Sequence, residues 1–307
     1  MKETPYPNFL VIGMERSGTH WIAALLNNHP EIACFPSLPF YTEVGRNNVG
    51  EVHFFNTLAG LDGSVGERDT RSFEDFLTKY NKVFADLVPY KDKVSRAELY
   101  EMFCKRYSDY CNGQRGGKKI VGESTPAYVF HLDFIDTLYP GIKKIASIRD
   151  PKDKIVSWHF NMIRKNRKPA DEPITEEFAL GYLRKRIIPE YEALLLYDGD
   201  AHVITYERMH KNTKEVARGM VEYLCMKATD EILSHMETES AFERQTAKDS
   251  ASHIPRNPGE EDISSGLRKG IVGDWKGNID DALATTIDGE VAEIRKKVFD
   301  RYHVLEE

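Results

Sequence analysis

Short apolar runs at Phe9–Gly13, 119–122, 144–148 and 202–206 alternate with longer stretches of helical periodicity. That alternation predicts an α/β fold: a mainly parallel central sheet of about five strands, flanked by helices. A length of 307 residues fits one such domain with insertions, so residues 1–307 are read as a single domain. With 41% hydrophobic and 30% charged residues the chain has material for a core, which excludes wholesale disorder.

Taken in order, residues 18–28 read as a helix with Trp21, Ile22, Leu25 and Leu26 on one stripe, ended by His29-Pro30. Residues 151–163 open with Pro in the first turn, where a missing N–H costs little. Residues 175–195 have Thr175 placed as a cap and Pro189 placed to kink or split the helix. Residues 213–225 and 281–302 complete the helices. Residues 247–269, rich in Ser, Gly, Pro and charge, read as a long irregular loop, and one that long in a compact domain is usually functional or disordered.

Forty-two Lys and Arg against 49 Asp and Glu leave a net charge of −7, which argues against a nucleic-acid binder. It leaves room for a local basic cleft. No run approaches 18 apolar residues, so no membrane span is expected. The first residues carry no apolar signal core, and the expectation is a soluble cytoplasmic protein. Cys34, Cys104, Cys111 and Cys225 are scattered without a CxxC pair and read as reduced thiols, with no metal site.

Three segments carry chemistry. After the first strand comes Gly13-Met-Glu-Arg16-Ser17-Gly18-Thr19-His20-Trp21. A glycine-containing loop feeding a helix gathers backbone N–H groups and the positive helix end at one point, which suits a phosphate. It is not a nucleoside-triphosphatase loop: GxxxxGK[ST] needs Lys at position 19 and Ser or Thr at 20, where Thr19 and His20 stand. Alone it reads equally as an ordinary strand–helix turn. The second segment is Arg149-Asp150-Pro151-Lys152-Asp153 with Ser157, where Arg149 ends a strand and Ser157 follows eight residues later. Both could grip one phosphate, although a surface Arg paired with Asp150 or Asp153 reads as well. The third is Arg268-Lys269-Gly270-Ile-Val-Gly273-Asp274-Trp275-Lys276, a candidate anion clamp or a solvated charge run.

Together, and in this order, the three segments resemble the P-loop sulfotransferases, which move the sulfuryl group of 3′-phosphoadenosine 5′-phosphosulfate (PAPS) to a hydroxyl or amine. The resemblance implies that fold and that co-substrate, with adenosine 3′,5′-bisphosphate (PAP) as product and no metal. It implies that Arg16, Ser17, Gly18, Thr19 and His20 bind the 5′-phosphosulfate and that Trp21 packs on the adenine. Arg149, Ser157, Arg268, Lys269 and Gly270 would hold the 3′-phosphate. Tyr206 matches a position beside the adenine, and reads equally as a core tyrosine ending a strand. Arg16 stands where the family has Lys; a permanently charged guanidinium donates no proton to the leaving group, so its role would be electrostatic.

Sulfuryl transfer needs a base. Gly50-Glu51-Val52-His53-Phe54-Phe55, ahead of Gly60-Leu61-Asp62, resembles the (K/E)E-x-x-F-F segment of glycosaminoglycan sulfotransferases, whose Glu is the base. Glu123-Ser124-Thr125-Pro126-Ala127-Tyr128 resembles their E-K-S-P-x-Y-F segment, with Ser124 in place of the Lys. Glu51 is therefore preferred as base over Glu123, and His53 is the third candidate, since cytosolic relatives use a His. Phe54 and Phe55 read as core.

The acceptor is open: a hydroxyl or amine of a carbohydrate or small molecule. The run Arg164-Lys165-Asn166-Arg167-Lys168 could meet an anionic sugar chain, but is better read as a solvated helix end. Neither nucleic acid nor a membrane is expected as partner, and the protein is read as a monomer or homodimer. The rival readings are a P-loop nucleotide or small-molecule kinase, and a non-catalytic PAPS- or PAP-binding module.

Overall fold

The structure, a computed structural model, describes residues 7–35, 51–61, 86–90, 92–115, 117–249 and 254–305, with Phe73, Leu77 and Phe84 between them. Five parallel strands form one sheet: β1 (Phe9–Gly13), β2 (Ile32–Phe35), β3 (Ile120–Ser124), β4 (Lys143–Ile148) and β5 (His202–Thr205), in the order β2-β3-β1-β4-β5. The helices in chain order are α1 (Thr19–Asn27), α2 (Phe54–Leu61), α3 (Arg96–Arg115), α4 (Leu132–Leu138), α5 (Pro151–Arg164), α6 (Glu176–Tyr182) and α7 (Ile188–Leu196). They continue with α8 (Tyr206–Lys211), α9 (Thr213–Tyr223), α10 (Asp230–Ser240), α11 (Phe242–Asp249) and α12 (Asp281–Arg301).

All five residues of β1 are buried, because β1 lies mid-sheet with helices over both faces. Its side chains divide by the strand period of two. Phe9 and Val11 pack with Ile22, Leu25 and Leu26 of α1 and with α9 and α10, while Leu10 and Ile12 enter the larger core on the other face. That second core is dense in aromatic rings, among them Phe35, Phe54, Phe55, Phe73, Tyr100, Phe103 and Tyr128. Phe54 and Phe55 are fully buried, as expected of core residues.

Sequence and structure differ in five places. Strand β2 was not among the apolar runs; it is four residues long and lies at the edge, too short for periodicity to mark it. Strand β3 extends to Ser124, so Glu123 lies within it rather than after it. Tyr206 starts α8 instead of ending β5, because the Thr205 hydroxyl accepts the Arg208 N–H at 3.1 Å and caps a helix there. The helix expected over 175–195 is capped by Thr175 as expected, but a π-helical turn, Leu183–Ile187, interrupts it before α7. Pro189 then sits in the first turn of α7, where it lacks no needed hydrogen bond. The loop expected over 247–269 begins later, since α11 runs to Asp249; residues 254–270 are irregular.

Strand register positions the site. Val11 pairs with Ser124, Gly13 with Ser147, and Ile148 with Thr205. The carboxyl ends of β3, β1, β4 and β5 therefore lie in a row, and the segments leaving them emerge side by side. Open parallel sheets bind ligands along this edge.

Candidate functional site

The loop from β1 to α1 is shaped by two close approaches. A Cβ on Gly13 would lie 2.3 Å from the Ser147 carbonyl oxygen, and one on Gly18 would lie 2.6 Å from the Tyr206 ring. Gly18 also has φ 85°, the left-handed conformation that glycine adopts without strain. Ser147 ties the loop to β4: its hydroxyl donates to the Ser17 carbonyl at 2.6 Å. Helix α1 starts at Gly18 with no side-chain cap and no acidic residue in its first turn, which leaves its positive end to a ligand. By contrast, Asp150 caps α5 and Asp280 caps α12.

Arg16 is itself left-handed, at φ 67°. This turns its carbonyl toward Arg149, whose guanidinium donates to it at 3.2 Å. The Arg16 side chain runs the other way and donates from Nε to the Ser157 hydroxyl on α5 at 3.1 Å. Burial of its head group, with the charges of Arg164 and Arg149 nearby, lowers its pKa to about 10. It remains a cation at neutral pH.

Arg149 is the hub. Besides Arg16 it donates to the Ile271 carbonyl at 3.3 Å, lies 3.7 Å from Asp153, and stacks 4.2 Å from the centre of the Tyr206 ring. The Asp153 pairing expected of a surface arginine exists, but the side chain is only 11% exposed. Trp21 meets Tyr206 and His210 edge-on, at 5.8 and 5.2 Å between ring centres. His20 is half-buried at the start of α1, and Thr19 is buried beside it. Three buried donors here have no hydrogen-bond partner among the described residues: the Ser17 hydroxyl, Trp21 Nε1 and Arg149 Nε. Buried donors are normally paired, so their convergence with an uncapped helix end fits an anionic, ring-bearing ligand.

The third segment folds onto α5. Arg268 bonds both Glu261 and Asp274 and lies 4.0 Å over the Phe160 ring, while Lys269 bonds Asp274 at 2.9 Å. Gly270, at φ 62°, abuts the Phe242 ring, which would lie 2.3 Å from a Cβ. This is no solvated charge run. The run 164–168, in turn, divides: Lys165 to Arg167 are exposed and Lys168 pairs with Glu172, whereas half-buried Arg164 adds its charge beside Arg16.

One strand away lie the base candidates. Glu123 is 1% exposed and accepts three hydroxyls: Tyr128 and Thr125 at 3.0 Å each, and Tyr100. Burial raises its pKa to about 7; the three hydroxyls oppose the rise and the charge of Glu51 adds to it. Glu51 is more open, 21% exposed, with the buried His53 Nε2 3.5 Å from its carboxylate. His53 has φ 57° and starts the turn into α2. Gly50 and Asp62 of that resemblance lie outside the described residues. Sequence reasoning did not anticipate Tyr100 at the site; it named Asp153 only as a surface partner of Arg149, Asp274 only as part of the third segment, and Arg164 only within a run read as a solvated helix end. The spacing of Asp153 four residues before Ser157, one helical turn, was a usable signal.

Among the described residues no group of three or more His, Cys, Asp or Glu could hold a metal ion, and no helix is long and apolar enough to cross a membrane. All four cysteines are free thiols.

A family signature described as "Sulfotransferase family" matches residues 7–230, and the chain belongs to that family. Among curated relatives, sulfotransferase 1B1 of Canis lupus familiaris is 29% identical over 44% of this chain and 48% of its own. Cytosolic sulfotransferase 12 of Arabidopsis thaliana is 26% identical over 54% of each. The chain thus spans about half the length of these relatives. Among solved structures, a sulfotransferase from Alicyclobacillus acidocaldarius covers 98% of this chain and 97% of its own, at 17% identity and a TM-score of 0.54. Mouse sulfotransferase SULT7A1, solved with PAP, covers 96% of this chain and 88% of its own, at 15% identity and a TM-score of 0.55. These last two establish the fold.

Proposed function

We propose that this protein transfers the sulfuryl group of PAPS to a hydroxyl or amine. The observation that carries the reading is the meeting of Arg16, Ser157 and Arg149, from two separate segments, around an uncapped helix end. The 5′-phosphosulfate is assigned to Arg16, Ser17, Gly18, Thr19 and His20, and the 3′-phosphate to Arg149, Ser157, Arg268, Lys269 and Gly270. Trp21 and Tyr206 form an aromatic wall suited to an adenine. Residues 254–270 close the nucleotide side.

PAPS supplies the activated sulfuryl group. Glu51 takes the proton from the acceptor as its oxygen or nitrogen attacks in line, and His53 orients that carboxylate. Arg16 stabilises the charge that develops on the departing phosphate, a role for fixed cations in a water-poor site. Glu123, with three hydroxyl donors and almost no exposure, supports the pocket and is not the base; this favours Glu51. The acceptor class is left as a hydroxyl or amine of a small molecule or carbohydrate. Action in the cytoplasm is part of the proposal, supported by the name of the Arabidopsis relative.

The test is sulfate transfer from labelled PAPS to a panel of phenols, alcohols, amines and sugars, with PAP binding measured by calorimetry. Glu51→Gln should lower turnover by about 10²-fold or more, in line with the usual contribution of one acid–base group, with PAP affinity within a factor of two or three. A wild-type protein that does not bind PAP would refute the reading; full activity in Glu51→Gln would move the base elsewhere.

A further inference from the structure

Asp153 is wholly buried, with a side-chain exposure of 0%. Its two carboxylate oxygens accept the backbone N–H groups of Gly273 at 2.7 Å and Trp275 at 3.0 Å, from a segment 120 residues further along the chain. Between those two amides lies Asp274, the carboxylate that holds Arg268 and Lys269. Gly273 has φ 79° and starts the short 3₁₀ turn Asp274–Gly277, so Asp153 caps that turn from another element. The neighbouring Lys152 lies 5.0 Å from the centre of the Trp275 ring, and Arg149 bonds the Ile271 carbonyl. Arg149 and the first turn of α5 therefore together clasp residues 271–275.

We infer that Asp153 is a positioning residue for 3′-phosphate recognition: it fixes the backbone of 273–275, and through Asp274 sets the place of Arg268 and Lys269. The inference rests on the nucleotide reading above. It assigns to Asp153 no contact with ligand. A carboxylate is suited to this task because both its oxygens accept; an amide in its place would turn one NH₂ toward a backbone N–H. The cations of the third segment would then lose their register relative to Arg149 and Ser157, while the phosphate loop, held by Ser147 and Tyr206, would keep its own.

The experiment compares PAP with adenosine 5′-monophosphate, which lacks the 3′-phosphate, by calorimetry on the full chain. In Asp153→Asn, PAP affinity should fall at least tenfold while the affinity for adenosine 5′-monophosphate changes by less than threefold. Asp274→Asn, which leaves the buried Asp153 intact, should show the same selective loss and serves if Asp153→Asn does not fold. Equal losses for both nucleotides in the two variants, or unchanged PAP affinity, would overturn the inference. If the wild type itself binds PAP no better than adenosine 5′-monophosphate, the nucleotide reading fails first, and this assignment with it.

Discussion

At the scale of single residues, Glu123 shows how burial sets chemistry. A carboxyl surrounded by Tyr100, Tyr128 and the aromatic core keeps its proton up to about pH 7, whereas the unfolded chain releases it near the ordinary glutamate value of 4.5. The folded state thus binds the proton more tightly, and its contribution to stability is complete below about pH 4.5 and lost as pH rises to about 7. At about 1.4 kcal/mol per unit, the span is on the order of 3 kcal/mol at most. Glu123→Gln should flatten urea-denaturation stability between these pH values; an unchanged slope would place the proton elsewhere. None of this was legible in the sequence. Tyr100 reaches Glu123 from 23 residues away, and only Thr125 and Tyr128 lie close in the chain. Arg164 is similar: in a run of five polar residues nothing marks the one that faces inward.

At the scale of elements, the loop between β1 and α1 depends on glycines for different reasons. Gly13 makes room for β4, while Gly18 must be left-handed and must also admit the Tyr206 ring. Gly18→Ala combines strain with a clash, and the N-terminus of α1 would shift to relieve both. PAP affinity should fall tenfold or more, by calorimetry, with the protein still folded by circular dichroism; wild-type affinity would show that the helix end is not part of the site. Elements with strong local signals, α1, α5, α9 and α12, were readable from periodicity and caps. Strand β2 and the π-helical turn were not, since one is four residues long and the other breaks the helical period for five.

At the scale of the whole molecule, a net charge of −7 coexists with a local cluster in which Arg149 and Arg164 place like charge beside Arg16. Such a cluster is stabilised by a multiply charged anion. Saturation with PAP at a hundred times its Kd should add about 2.7 kcal/mol of stability by mass action alone, and raise Tm by several degrees. That gain should shrink with added salt, as screening weakens the charge interactions. A Tm indifferent to PAP would contradict a native-state site.

The sequence by itself determined the parallel α/β class, the glycine-bearing loop between β1 and α1 and the order of the three motifs, because these rest on local periodicity, turn chemistry and short spacings. Tertiary structure decided which residues meet. Arg16 reaches Ser157 across 141 positions and Asp153 reaches Gly273 across 120. It also decided that Glu123 is enclosed while Glu51 is open. Burial and long-range contact belong to the packed chain, and no short stretch of sequence carries them.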